Sequence, residues 1–167
     1  MGFQAAHRRH RKSNPYKCGY YGDPKRECRC SPREIENYRN RIDLHVEAPA
    51  VEYKDLSSTE SAEPSAAIRS CVIEARRIQR ERFASSRKTR TNAEMSHGQI
   101  KEHCKLDSAG QELLRHAMTN LQLSARAYNR ILKVSRTIAD LAGSPSVQPP
   151  HVMEAIQYRT LDRNLWH

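Results

Sequence analysis

Apolar positions recur at helical spacing through most of the second half of the chain. In residues 123–143, LSARAYNRILKVSRTIADLAG, the residues Tyr128, Ile131, Leu132, Ile138, Ala139 and Ala142 fall on one face of a helix. Arg126, Asn129, Arg130 and Lys133 fall on the other faces. Ser124 offers a side chain to an orphan amide of the first turn, and Gly143 stands where a left-handed C-cap costs least. Upstream, Ala66 to about Ala84 carries a stripe of Ile68, Cys71, Val72, Ala75, Ile78 and Phe83, with Arg69, Arg76, Arg77, Arg80 and Arg82 over the remainder. Ser85 to Met95 is a polar loop rich in Arg and Lys. Ser96 caps a short helix with Ile100 and Cys104 on one face. Asp107 caps another that runs through Leu121 and turns Leu113, Leu114, Ala117 and Leu121 inward. Pro149 and Pro150 pre-set a last helix through Arg159 that buries Val152, Ala155 and Ile156. Residues 66–159 thus predict four or five helices in a small all-α bundle.

The first half reads differently. Ser31-Pro32-Arg33-Glu34 has Ser at an N-cap and Pro at the first helical position, so it starts a helix that runs to about Arg41. Ile42 to Glu47 alternates apolar and polar residues, as a half-buried strand does, and Pro49 ends it. That strand is an orphan, because the chain holds no obvious partner for it. Residues 55–65, DLSSTESAEPS, form an acidic, Ser-rich linker.

Charge sharpens this division. Of the formal net charge of +10, residues 1–41 hold +7, residues 42–64 hold −5, residues 65–105 hold +6 and residues 106–167 hold +2. Such alternation predicts a chain made of functionally different pieces. The basic helix and the loop after it offer Arg76, Arg77, Arg80, Arg87, Lys88 and Arg90, either as a solvated face or as a surface for the phosphate backbone of nucleic acid. Arg126 is either an ordinary surface arginine or, beside a positive helix end, a group that meets a phosphate.

Five cysteines make an odd count, which argues against a secreted disulfide framework, and the basic N-terminus has no apolar core of a secretory signal. No run of about 18 apolar residues predicts a membrane span. A cytoplasmic protein with no membrane partner is the expectation. Cys18, Cys28 and Cys30 lie on a turn-rich loop and supply three of the four ligands of a tetrahedral zinc site, with His7 or His10 as candidates for the fourth. The alternative is free thiols. An enzyme built on Cys104 with His97 or His103 is a further option, set against Cys104 as a buried structural thiol on an apolar stripe.

Four segments occur in an order that resembles a known family: CGYYGDPKRECRCSPREIENYRNR, RIDLHVEAP, LSARAYNRILKVSRTIADLAG and EAIQYRTLDRNLW. They are similar to the C-terminal part of the magnesium-chelatase-like AAA+ ATPases of the ComM/YifB type, from Asn14 to the end of the chain. The resemblance implies a mainly α fold, with a AAA+ lid-type helical bundle preceded by a cysteine-containing loop, one helix and one orphan strand. It divides the chain into a basic, partly disordered tail with the cysteine loop (1–31), a remnant of the AAA+ core (32–54), the linker (55–65) and the lid (66–167). It also implies hexameric AAA+ subunits as partners, ATP and Mg²⁺ as the family's cofactors, and DNA processing in natural transformation. Arg126 matches the family's sensor-2 arginine, which reaches an ATP phosphate from the lid. Arg41 looks like the arginine finger offered to a neighbouring subunit, a group worth on the order of 10³–10⁵ in rate.

The departures matter as much. No GxxxxGK[ST] and no apolar strand ending in paired acids occurs, so the phosphate cradle and the Mg²⁺ ligands are missing. The family's cysteine loop begins Asn-Pro-Cys-Pro-Cys, whereas Tyr16 stands at one of those cysteines here. A segment resembling ISGPLLDR is absent between Asn40 and Ile42. The expectation is a truncated or decayed product that keeps its lid and has no ATPase activity alone, with a free-standing nucleic-acid-binding module as the alternative.

Overall fold

The structure is a computed structural model that describes residues 63–159, together with residues 27–31, 33–34 and 44. The chain divides into two compact units, residues 1–43 and 44–167. In the first, Ser31 caps a helix start: its hydroxyl accepts the Glu34 amide at 3.4 Å while the Glu34 carboxylate accepts the Ser31 amide at 3.1 Å. The remainder of that predicted helix, the predicted strand at 42–47 (apart from Leu44), Arg41 and Cys18 lie outside the described residues.

Among its described residues the second unit holds five helices: α1 (Ser65–Arg82), α2 (His97–His103), α3 (Ser108–Asn120), α4 (Ala125–Leu141) and α5 (Pro149–Gln157). No strand occurs among the described residues. The protein is mainly α, as the helical periodicity requires. Local chemistry sets the helix starts. The side chains of Ser96, Asp107 and Ser124 each accept a first-turn amide, from Gln99, Gly110 and Ala127 respectively. Each such cap contributes about 1 kcal/mol. α5 begins with Pro149 and Pro150, whose missing amides would be orphans there in any case.

α4 is the hub. It packs against α1, α2, α5 and the single 3₁₀ turn Asn92–Glu94, while α3 packs against α5. The core that results joins Phe83, Met95, Ile100, Cys104, Leu114, Ile131, Leu132, Ala139, Val147, Val152 and Ala155. Its centre is fully sealed, with Ile131, Ala139 and Val152 at 0 % exposure. Truncating Ile131 to Ala should cost about 2–5 kcal/mol.

Three predicted faces differ in detail. The stripe of α1 is covered over only part of its length: Ala75, Gln79 and Phe83 are buried, but Ile68, Cys71 and Val72 are exposed. Eighteen residues make a helix of about 27 Å, and α4 reaches only its C-terminal half. On α4, Tyr128 and Ala142 are exposed and Ala127 is buried in their stead, because the buried face is rotated towards the arginine side at the start of the helix. Of the face predicted for α3 only Leu114 is buried; Leu113, Ala117 and Leu121 are half-buried.

Candidate functional site

α3 and α4 are joined by a tight connection that aims the first turn of α4 outward. Leu121 ends α3, and Gln122 adopts the left-handed conformation with φ 49°. The Leu123 amide then donates to the Met118 carbonyl at 3.1 Å, and Gln122 donates to Thr119 at 3.4 Å. This is the paired closure that usually employs glycine. Ser124 caps α4 through the Ala127 amide at 3.3 Å. Arg126 is therefore the second residue of a capped helix, exposed, with no ion-pair partner among the described residues. The aligned peptide dipoles leave roughly half a positive charge at that end, and Arg126 adds a full one.

The opposite end of α4 is tied down by a polar cluster. Asp140, buried to 1 % exposure, accepts Arg82 Nη1 at 2.7 Å and Arg82 Nη2 at 2.5 Å, one on each oxygen. It also accepts Asn92 Nδ2 at 2.8 Å and Arg136 Nε at 3.1 Å. Arg136 donates onward to the carbonyls of Ser144 and Pro145, at 2.6 and 3.0 Å. Four segments converge on one carboxylate: α1, the 3₁₀ turn, α4 and, through Arg136, the α4–α5 loop. Burial alone would raise the pKa of Asp140, but the hydrogen bonds from Arg82 and Asn92 and the charges of Arg136 and Arg82 outweigh it and hold the carboxyl below its usual range. Burial lowers the pKa of Arg136, and Asp140 opposes that pull. A guanidinium keeps its charge at any working pH.

Between α2, α3 and the start of α4 lies a groove of about 740 Å³, with Ile100, Leu114 and Leu132 in its floor and Lys101, Lys105 and Tyr128 at its edge. Arg126 does not line it, so a phosphate met by Arg126 sits outside the groove.

The other predicted site residues separate into two sets. Arg76, Arg77 and Arg80 are exposed on α1, and Arg87, Lys88 and Arg90 are exposed on the loop after it. Arg77 is occupied: it bonds Glu74 through Nε and Nη2 and Glu81 through Nη1. Arg76 leans on Gln79 at 3.4 Å. Cys28 and Cys30 are half-buried, Cys18 lies outside the described residues, and no group of three potential metal ligands occurs among the described ones. Cys104 is a core residue whose thiol is pushed up to about 11 by burial, which keeps it protonated and unreactive at neutral pH. The edge of the neighbouring His103 ring stands against Phe83, with 5.6 Å between ring centroids. That pair therefore lacks the thiolate an enzyme would need. The Asp140 cluster was missed in the sequence, where only the Arg136–Asp140 spacing hinted at it. No described helix is long and apolar enough to cross a membrane.

Comparison with known proteins gives this geometry a context. The family model for the C-terminal part of magnesium chelatase, subunit ChlI, matches residues 62–159, and the model for magnesium chelatase, subunit ChlI, matches residues 2–56. The competence protein ComM of Haemophilus influenzae is 38% identical over 161 residues, which is 91% of this chain and 30% of that protein. The uncharacterized protein YifB of Escherichia coli is 35% identical over 163 residues, 92% of this chain and 31% of that protein. The chain thus spans about three tenths of the length of these relatives.

Proposed function

We propose that this chain, which belongs to the magnesium chelatase family that also holds ComM and YifB, serves as the lid portion of an ATPase of that family. In this role it presents Arg126 to a phosphate of ATP, within an oligomer whose work is DNA processing. One observation carries the proposal: Arg126 stands exposed, with no ion-pair partner among the described residues, in the first turn of a helix that is capped at one end and clamped at the other. A guanidinium fork beside a helix N-terminus suits a phosphate oxygen, and the capped and clamped helix fixes the backbone from which it reaches.

Among the described residues, Arg126 fits one contact to a phosphate of the ATP that the lid closes on. No cluster of metal ligands occurs among the described residues, and the sequence has no phosphate-cradling glycine loop. Magnesium and the phosphate cradle belong to a subunit that carries them, and Arg41 is the group this chain offers to the nucleotide of a neighbour. Zinc at Cys18, Cys28 and Cys30 remains an expectation of the cysteine spacing. Alone, the chain binds ATP too weakly for turnover.

Phosphate release from ATP and Mg²⁺ tests this. The purified chain is expected to release none, and to raise turnover when mixed with ComM whose own C-terminal lid has been deleted. Turnover by the purified chain alone would refute the proposal.

A further inference from the structure

The loop between α1 and the 3₁₀ turn gathers more positive charge than its surroundings neutralise. Arg87, Lys88 and Arg90 fall within four consecutive residues, all three are exposed, and none makes an ion pair among the described residues. The carboxylates closest in sequence have other partners. Glu94, itself exposed, accepts the backbone amides of Arg90 at 2.7 Å and Thr91 at 3.3 Å. Glu81 is held by Arg77.

The loop is also pinned. Thr89, in the middle of the cations, is buried; its amide donates to Ser86 Oγ at 3.0 Å and its hydroxyl donates to Gln99 Oε1 at 3.0 Å. The Ser86 amide donates to the Phe83 carbonyl at 2.9 Å. Three like charges therefore sit on a pinned backbone with one carboxylate, that of Glu94, beside them, and the loop keeps a positive excess. Local arrangements that cost stability without an evident structural return tend to mark sites of function.

The chemistry of the ligand follows from the arrangement. None of the three cations lines the groove between α2, α3 and α4 or the smaller pocket between α1 and the 3₁₀ turn, so neither supplies an enclosed anion site for them. Arg87 and Arg90 are three residues apart, at most about 11 Å along the chain, a reach suited to neighbouring phosphates of one strand. Arginine and lysine both contact phosphate oxygens, arginine through two parallel donors. The exposed neighbours Ala84 and Ser85 offer no large apolar side chain to enter a bilayer, so a membrane surface is the poorer match.

We propose that Arg87, Lys88 and Arg90 form a phosphate-contact loop that binds the backbone of nucleic acid without reading its sequence. This goes beyond the ATP contact of Arg126 and does not depend on it. Arg77, which the sequence alone would include, is excluded by its ion pairs with Glu74 and Glu81.

Fluorescence anisotropy of the full chain with a labelled oligonucleotide, single-stranded and duplex, over a range of NaCl concentrations tests the proposal. Replacing the three cations (R87Q/K88Q/R90Q) is expected to make the slope of log K against log salt shallower by about two for the single strand and nearly three for the duplex. Affinity near 0.1 M salt should fall by roughly tenfold or more. A charge-matched control, R69Q/K101Q/K105Q, should leave the slope within about one unit of the wild type. Unchanged circular dichroism would show that both variants fold. Equal losses in the two variants would mean diffuse attraction to net charge and would overturn the assignment. So would an unchanged slope in the loop variant, or binding to vesicles containing phosphatidylserine with none to either oligonucleotide.

Discussion

Asp140 ties together α1, the 3₁₀ turn and α4. A carboxylate at the meeting point of Arg82, Arg136 and Asn92 satisfies two guanidinium groups that are themselves 13% and 3% exposed. Removing one partner of a buried charge cluster leaves the others uncompensated, at a cost of about 3–5 kcal/mol. Asp140→Asn should therefore lower the urea midpoint near pH 7 by that order of stability. The folded pKa of Asp140 is depressed, so its contribution is full above the unfolded carboxylate value of about 4 and fades as pH falls through the folded value. The gap between wild type and variant should accordingly narrow below about pH 4, where the wild type loses the same charge. A gap that is constant with pH would mean that the carboxylate charge is not what stabilises the cluster. Cys104 makes a second test at this scale. With its thiol pushed up to about 11 by burial, it should resist alkylation at neutral pH while the exposed Cys71 reacts, as peptide mapping after iodoacetamide would report.

Among the elements, the α3–α4 connection is where backbone strain sits. Gln122 occupies a left-handed position at φ 49°, whereas the matching position after α4 holds Gly143 at φ 65°. Both close the same way: Ser144 donates to Ala139 at 2.8 Å after α4, as Leu123 donates to Met118 after α3. A residue with a Cβ pays roughly 1–2 kcal/mol in this region, partly offset by the extra freedom of glycine in the unfolded chain. Gln122→Gly should therefore stabilise by roughly 0.5–1 kcal/mol, read as a rise of a few degrees in Tm. A fall would mean that the Gln122 side chain contributes something its backbone conformation does not reveal.

The helices themselves were legible because their signals are local. Ser96, Asp107 and Ser124 cap where their position before an apolar stripe says they should, and Pro149 opens α5. What the sequence concealed is long-range. The extent of α1 that α4 covers, the exposure of Tyr128 and the Arg82–Asp140 bridge between residues 58 apart all depend on how helices meet. Periodicity names a face and does not say how far its partner reaches. Arg126 was recognisable by motif, and its exposure agrees with a group free to meet a ligand, but its role rests on the family.

For the whole molecule, the unfinished surface and the lid proposal belong together. Ile68, Val72 and Leu141 are each about half exposed, where the α1 stripe runs past the end of α4. The chain covers about three tenths of the length of its relatives, and under the lid proposal the nucleotide is held by the part it does not cover. The contribution proposed for it is a single charge-assisted contact, worth about 1.5–3 kcal/mol. Calorimetric titration of ATP into lid-deleted ComM, with this chain or with its Arg126→Ala variant added, measures that contact directly. The wild-type chain should tighten ATP binding by about tenfold or more, and the variant should not. Equal tightening by both chains, or none by the wild type, would contradict the assignment of Arg126 to the nucleotide.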